Sequence, residues 1–433
     1  MTNITVLDSI MGSGKTTYVI NMINQSYVDD MSKSFIDENH RPTKYIIVVP
    51  LLTEVERVIS ACPDLRFKEP RAIHGQKLYH LDQLVGDGMN IVTTHALFKL
   101  LNRSIYAGLK DAGYTLIIDE VLECVDLYTE LTEADKAILF DQRLVFIDKT
   151  TRRLCWNKAS YPDDGRFGTI KKLCDTGSLV VMDDAMLIWE FPSEFLSCFD
   201  HVIVCTYLFH GSTFSAYLEA EGFKIQMKSV REGKLVQWDP CANDHALKLK
   251  LTSLIDVYEG TMNNIGKSKD RTNPLSASWY KRQDSKVLTK LKSSCQTFFS
   301  NRHADTPSRY NGWTAFSSVK GALSGKGYAR GWIPNNAKAT NAFIEKRSMA
   351  YLCNWFYHPL LKRYFHERGV KVNEDAYALS AMLQWIWRSQ IRRGDPIKVF
   401  IPSERMRTLF HNWLHDASYL QDNNPSQLAQ RAA

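Results

Sequence analysis

Long apolar runs are missing from this 433-residue chain, and none approaches the roughly 20 residues a helix needs to cross a bilayer. A charged segment followed by a signal-type apolar stretch is also missing, because Ile4-Thr5-Val6-Leu7 already reads as a buried strand leading into a glycine turn. The expectation is a soluble, cytoplasmic protein with no membrane partner. Cysteine pairing is absent too. The nine cysteines, Cys62, Cys124, Cys155, Cys174, Cys198, Cys205, Cys241, Cys295 and Cys353, are odd in number and contain no Cys-x-x-Cys pair, and no histidine spacing suits zinc. Reduced core thiols without disulfides or zinc are expected.

A chain of 433 residues with 44% apolar content exceeds one hydrophobic core and is expected to form two large domains. Its net charge of +7 conceals a division. Residues 1–230 carry 23 Lys/Arg against 31 Asp/Glu, a balance of −8, whereas residues 231–433 carry 31 against 16, a balance of +15. Solubilising charge produces basic surfaces, but an excess concentrated in one half is most simply matched by a polyanion, since Lys and Arg that displace condensed counterions supply sequence-independent affinity for nucleic acid.

Residues 9–17, Ser9-Ile10-Met11-Gly12-Ser13-Gly14-Lys15-Thr16-Thr17, place a glycine-punctuated loop between the strand at 4–7 and a helix beginning near Thr17. This order is that of a phosphate cradle: backbone N–H groups around Gly12, Ser13 and Gly14 converge where the helix dipole is positive. Lys15 adds a mobile cation, Thr16 a hydroxyl able to ligate Mg²⁺, and Thr17 continues the turn. Ser9 stands where P-loop spacing usually has glycine. Further along, Tyr114-Thr115-Leu116-Ile117-Ile118 is an apolar run that ends in Asp119-Glu120. An isolated Asp-Glu pair is commonly a solvated turn. With a cation cradle upstream it acquires a role, Asp119 ordering Mg²⁺ and Glu120 polarising an attacking water, so ATP and Mg²⁺ are the expected cofactors.

Strands are expected at 45–49, 90–94, 114–118 and 201–206, alternating with helical stretches as in a parallel sheet covered on both faces. Between Glu120 and His201, a β-rich subdomain at about 126–198 is expected, with a hairpin pairing 143–147 with 153–156; it is either a wedge or clamp, or filler. Residues 260–312, rich in Ser, Asn, Lys and Arg, are expected to include a flexible loop. Strands at 313–316 and 331–333, one long helix from Glu374 to Arg393 and a closing strand at 398–401 complete a second α/β domain. Trp385 and Trp387 fall on different faces of that helix, which leaves at least one of them less buried.

The order of these motifs resembles that of superfamily 2 helicases of the DEAD/DEAH-like type. The loop at Gly12, Gly14, Lys15 and Thr16 is similar to motif I, Val49-Pro50-Leu51-Leu52-Thr53 to motif Ia, Thr93-Thr94-His95 to motif Ib, Asp119-Glu120-Val121-Leu122 to motif II and Cys205-Thr206-Tyr207 to motif III. In the second half, Asn336 to Asn341 sits where motif V belongs and Gln384 to Arg392 where motif VI belongs, and this half, including the stretch at 402–407, resembles bacteriophage-encoded helicases. The resemblance implies two RecA-like domains, at 1–228 and 229–433, with parallel sheets and the β-rich insertion in the first.

It also implies that ATP lies between the domains, with Gln384 and an arginine finger from the second; such a finger contributes roughly 10³ to 10⁵ in rate. Gln384, Arg388 and Arg392 are spaced four and four apart, where the family has four and three. On an ideal helix the extra residue turns Arg392 by about 100°, so either Arg388 or Arg392 is the finger. Pro50 and Thr94 on the first domain and Thr340 on the second are the implied nucleic-acid contacts. The implied activity is ATP-dependent unwinding or translocation on nucleic acid, single-stranded or forked DNA above all. The setting would be phage replication or recombination in the host cytoplasm, with replication proteins as further partners. Two rivals stay open: a nucleic-acid-stimulated ATPase that remodels or loads proteins, and a P-loop nucleotide kinase.

Overall fold

The computed structural model describes residues 2–73, 77–101, 103–157, 165–183, 186–268, 272–300, 303–335 and 342–415. The apolar runs near the start of the chain become strands because each is buried on both faces. These are β1 (Asn3–Asp8), β2 (Lys44–Val49), β3 (Ile91–Thr94) and β4 (Tyr114–Asp119). An insertion follows, with β5 (Val125–Leu127), β6 (Val145–Ile147), β7 (Leu154–Trp156), β8 (Leu179–Met182) and β9 (Met186–Glu190); the chain then returns as β10 (His201–Thr206), β11 (Ile225–Arg231) and β12 (Lys234–Gln237).

The first sheet has the order β12-β11-β1-β10-β4-β2-β3. All of its pairings are parallel except the β11–β12 hairpin. The carboxyl ends of six strands therefore share one edge, where ligands bind in open α/β sheets. Register brings particular residues level there: Asp8 pairs with Thr206 and Cys205 with Asp119. Strand β10 thus separates the strand feeding the glycine turn from the strand ending in Asp119.

The insertion is β-rich, as expected. β5, β9 and β8 form one antiparallel sheet, and β6 pairs with β7 in the expected hairpin, Val145 opposite Trp156 and Ile147 opposite Leu154. Leu139, Leu154, Ile170 and Leu179 give it a small core of its own.

The second half builds a four-stranded, wholly parallel sheet, β13 (Ile255–Val257), β14 (Asn311–Thr314), β15 (Ser348–Tyr351) and β16 (Ile397–Phe400), in the order β13-β16-β15-β14. The fold class is therefore α/β with two parallel sheets and a β-rich insertion. Among the described residues no helix is long and apolar enough to cross a membrane.

Three expectations for this half are corrected, and one stretch is more regular than its composition suggests. The stretch at 260–312 contains a 15-residue helix, Ser285–Phe299, capped by the Asp284 carboxylate, which accepts from Val287 N at 2.9 Å; Leu291, Cys295 and Phe298 bury one face. Residues 331–333 form no strand and contribute only a bridge between Trp332 and Trp313. The helix expected from Glu374 to Arg393 ends at Ile386, and a separate 3₁₀ turn spans Gln390–Arg393. Ser389 makes the break: its backbone is extended, its hydroxyl donates to Ile386 O at 2.7 Å and it accepts from Ile391 N. With that, Trp385 and Trp387 are both buried, at 0% and 6% exposure.

The two halves are packed together. Ile10, Tyr207 and Leu208 join one buried cluster with Met382, Trp385, Trp387 and Trp413. The turn at Phe209–Gly211 lies so close to the start of the Glu374–Ile386 helix that a Cβ on Gly211 would stand 2.5 Å from the Ala376 carbonyl carbon, which only glycine avoids. The Pro359–Glu367 helix of the second half packs through Leu361 and Phe365 into the core beneath the first sheet.

Candidate active site

Strand β1 delivers the glycine turn, and side chains at its end fix where the turn begins. The Asp8 carboxylate accepts from Leu208 N at 2.9 Å and Phe209 N at 3.2 Å, tying β1 to the loop after β10. Ser9, at the position where glycine is usual, is used as an acceptor: its hydroxyl takes Val230 N–H at 2.8 Å, and its own N–H donates to Thr206 O. Gly12 and Gly14 then adopt φ of 84° and 85°, the left-handed conformation that suits glycine. The helix Lys15–Ile36 starts immediately after, with no capping side chain and no acid in its first turn. Its N-terminal N–H groups and positive dipole end are left to an anion.

Lys15 Nζ bends back over the turn and donates to Ser9 O and to Ile10 O. Desolvation pushes its pKa down, against the raising influence of Asp8 and Asp119. Thr16 Oγ1 lies 3.3 and 3.4 Å from the two Asp119 carboxylate oxygens, so the hydroxyl and the acid expected to share Mg²⁺ are adjacent. Enclosure raises the Asp119 pKa while Lys15 and Arg57 oppose the rise. Glu120 has φ 64°, a strained conformation for a residue with a side chain, and its N–H donates to Cys205 O at 2.9 Å. That backbone turn points Glu120 into the cleft instead of continuing the strand. His95 Nε2 donates to Asp119 O at 2.8 Å and supports the same corner.

Across the cleft stand Gln384, Trp387, Arg388 and Arg392, which line one pocket with Gly12, Lys15, Thr16, Asp119 and Glu120. Arg388 is 9% exposed and donates to Gln384 O at 2.9 Å; burial pushes its pKa down, with Glu120 opposing and Arg392 adding. The break at Ser389 explains how both arginines reach the cleft: beyond Ile386 the rotation of an ideal helix no longer applies. The pocket measures about 210 Å³, below the roughly 300–1,000 Å³ of small-molecule sites. It encloses charged groups without a wide apolar slot.

Two expected residues, Thr94 and Thr17, are not part of this lining. Pro50 borders this same pocket, not a separate surface, while Thr94 ends the edge strand β3 and is not part of the pocket lining. Thr340 lies outside the described residues. Thr17 is exposed on the first helical turn, away from the lining. The sequence reading missed Glu54 and Arg57, an ion pair at 2.5 Å on the Leu52–Ala61 helix that also lines the pocket. It also missed Asp244, whose carboxylate accepts from Ile10 N and Tyr207 Oη. An i,i+3 charged pair and an acid on a polar helix carry no signal that separates them from ordinary solvated side chains.

The groups present suit a Mg²⁺-bound polyphosphate. Two buried polar atoms on opposite sides of the cleft, Ser13 Oγ and Arg388 Nε, have no protein partner among the described residues. No cluster of three His, Cys, Asp or Glu side chains is placed to hold a metal among those residues, so Thr16 and Asp119 would have to share the ion with phosphate oxygens and water, as Mg²⁺ commonly requires.

The chain is 36% identical over 431 residues to the SPbeta prophage-derived uncharacterized protein YonV of Bacillus subtilis (strain 168), a match covering 96% of this chain and 100% of the relative. It belongs to the YonV family. The YonV middle domain matches residues 125–189, which hold β5 to β9, and the YonV C-terminal Rossmann-like domain matches residues 249–414, which hold the second sheet and the arginines of the cleft. Among solved structures, one titled XPD helicase is similar over 96% of this chain and 95% of its own, at 11% identity and a TM-score of 0.49. A second, titled as apo XPD, is similar over 95% of each chain at 11% identity and a TM-score of 0.48.

Proposed function

We propose that this YonV-family chain hydrolyses ATP with Mg²⁺ in the cleft between its two lobes and uses the cycle to move along or unwind nucleic acid, single-stranded or forked DNA above all. One observation carries the reading: Lys15, Thr16, Asp119 and Glu120 of the first lobe face Arg388 and Arg392 of the second across a single pocket. Bound Mg²⁺–ATP would supply the scissile phosphoanhydride. The N–H groups at Gly12 to Gly14 and the Lys15 ammonium would hold phosphate oxygens, and Thr16 and Asp119 the metal. Glu120, turned into the cleft by its positive φ, is positioned to orient a water and take its proton. Arg388 and Arg392 neutralise negative charge from the opposite side, so hydrolysis requires the lobes to be together and couples to their relative movement.

The nucleic-acid part of the reading is supported by the +15 balance of residues 231–433 and by the motif order. The prophage origin of the YonV relative favours a phage setting.

The test is ATP turnover by the full chain with and without single-stranded DNA, together with displacement of a labelled strand from 5′-tailed, 3′-tailed and forked duplexes. Stimulated turnover with displacement is expected. Turnover indifferent to DNA or RNA removes the motor reading, and stimulation without displacement supports protein remodelling or loading in its place. Lys15→Ala is expected to abolish turnover and retain salt-sensitive DNA binding. With about four phosphates neutralised, log affinity should fall against log salt with a slope of about −3.

A further inference from the structure

Three tryptophans gather beneath the cleft, and two of them have their indole N–H groups satisfied by protein. Trp385 donates to Ile333 O at 3.2 Å, and Trp413 donates to the Tyr207 hydroxyl at 2.7 Å. Trp387 differs. Its side chain is only 6% exposed and lines the cleft, with Nε1 facing the glycine turn, 4.0 Å from where a Cβ on Gly12 would stand. Unlike the other two, this N–H opens onto the pocket that Gly12 and Lys15 line, where a ligand can take its proton.

The ring is held in that orientation. It meets Trp413 edge-on, with centroids 6.2 Å apart and planes at 82°, and it packs in the cluster that contains Ile10 and Leu208. Behind it a chain of contacts returns to the same loop: Trp413 donates to Tyr207, Tyr207 to Asp244, and Asp244 accepts from Ile10 N, two residues before Gly12. The glycine turn and the indole are thereby fixed relative to each other from both lobes.

We infer that the Trp387 indole N–H is a phosphate ligand supplied by the second lobe, donating to an oxygen of the nucleotide held at the Gly12 turn. The inference rests on the proposal that this cleft binds ATP. Backbone groups of such a turn cradle the inner phosphates, so the indole meets a phosphate that ADP and ATP both carry.

Isothermal titration calorimetry of the full chain with MgADP and with a non-hydrolysable ATP analogue tests this. Trp387→Phe keeps a ring in the cluster and removes the donor; replacing Trp387 by benzothienylalanine keeps the bicyclic shape with sulfur in place of N–H. Loss of a hydrogen bond to a charged acceptor predicts roughly tenfold or greater weakening for both nucleotides, with an unchanged unfolding midpoint for the benzothienylalanine protein. Wild-type affinity in the benzothienylalanine protein overturns the inference, even if Trp387→Phe misfolds. Failure of the unmodified protein to bind either nucleotide would instead overturn the ATP reading on which it rests.

Discussion

Ser9 and Asp8 show how a single position can depart from a motif without losing its geometry. Glycine at position 9 would leave Val230 N–H, buried inside the sheet, without the hydroxyl it now meets at 2.8 Å. Asp8 is fully enclosed beneath the same turn, and burial raises its pKa from 3.8 to about 7; Phe209 N–H opposes the rise, Asp244 adds to it, and Lys15 and Leu208 N–H oppose it. A carboxyl whose folded pKa exceeds its unfolded value holds its proton more tightly in the folded state. Its stabilising contribution is complete below about pH 4, is lost as pH rises to about 7 and stays constant beyond. Asp8→Asn removes this titration. In urea unfolding at a series of pH values, the stability of wild type relative to Asp8→Asn should fall between pH 4 and 7, by at most about 1.4 kcal/mol per pH unit, and then level off. A difference independent of pH would show that Asp8 titrates normally.

The break between Ile386 and Gln390 is the element on which the second half of the cleft depends. Ser389 caps the 3₁₀ turn that presents Arg392, and Gly394, at φ 81°, ends it. Ser389→Ala removes both hydrogen bonds of the buried hydroxyl. Loss of such a cap costs about 1 kcal/mol, and the continuous helix it then favours would rotate Arg392 out of the cleft. With ATP turnover at this cleft, kcat should fall roughly tenfold or more with KM little changed; a kcat in Ser389→Ala equal to that of wild type would deny the turn any part in presenting Arg392. This element also marks where the sequence was legible. Strands β1, β2, β4 and β10 could be read because each is an apolar run buried on both faces, and the glycine turn because its residues are contiguous. The end of the Glu374–Ile386 helix could not be read from periodicity, because Leu383, Ile386 and Ile391 continue a helical pattern across the break. Ser389 followed by Gly394 was the available signal, a cap and a stop spaced for one short turn. The Ser285–Phe299 helix was hidden for another reason: its polar face supplies the Ser and Lys that made the region look like a loop, while Asp284 and the spacing of Leu291, Cys295 and Phe298 specified a capped, one-sided helix.

Across the whole molecule, distant parts of the chain also meet away from the cleft. One such joint is Glu190 at the end of β9, only 1% exposed, which lies 3.4 Å from Arg153 and 2.5 Å from Arg368 and also accepts from the Tyr364 hydroxyl. Arg368 pairs in addition with Glu221. Glu190 and Arg153 belong to the insertion, Glu221 follows the first-lobe helix Thr213–Ala220, and Tyr364 and Arg368 come from the second half. Three parts that could otherwise drift are thus joined around one enclosed carboxylate. The helix carrying Tyr364 is packed into the first core, so this joint ties the second half of the chain to the first at a point away from the cleft. Arg368→Met tests the joint. Removing one partner of a buried ion pair commonly costs 3–5 kcal/mol; because Arg153 and Tyr364 stay with Glu190 and Arg368 is itself partly exposed, a loss of about 2–3 kcal/mol is expected in urea unfolding. The same substitution should expose the insertion, residues 125–189, to limited proteolysis before the rest of the chain. An unfolding curve matching that of wild type, with no new cleavage, would mean that the insertion is held by its apolar contacts alone.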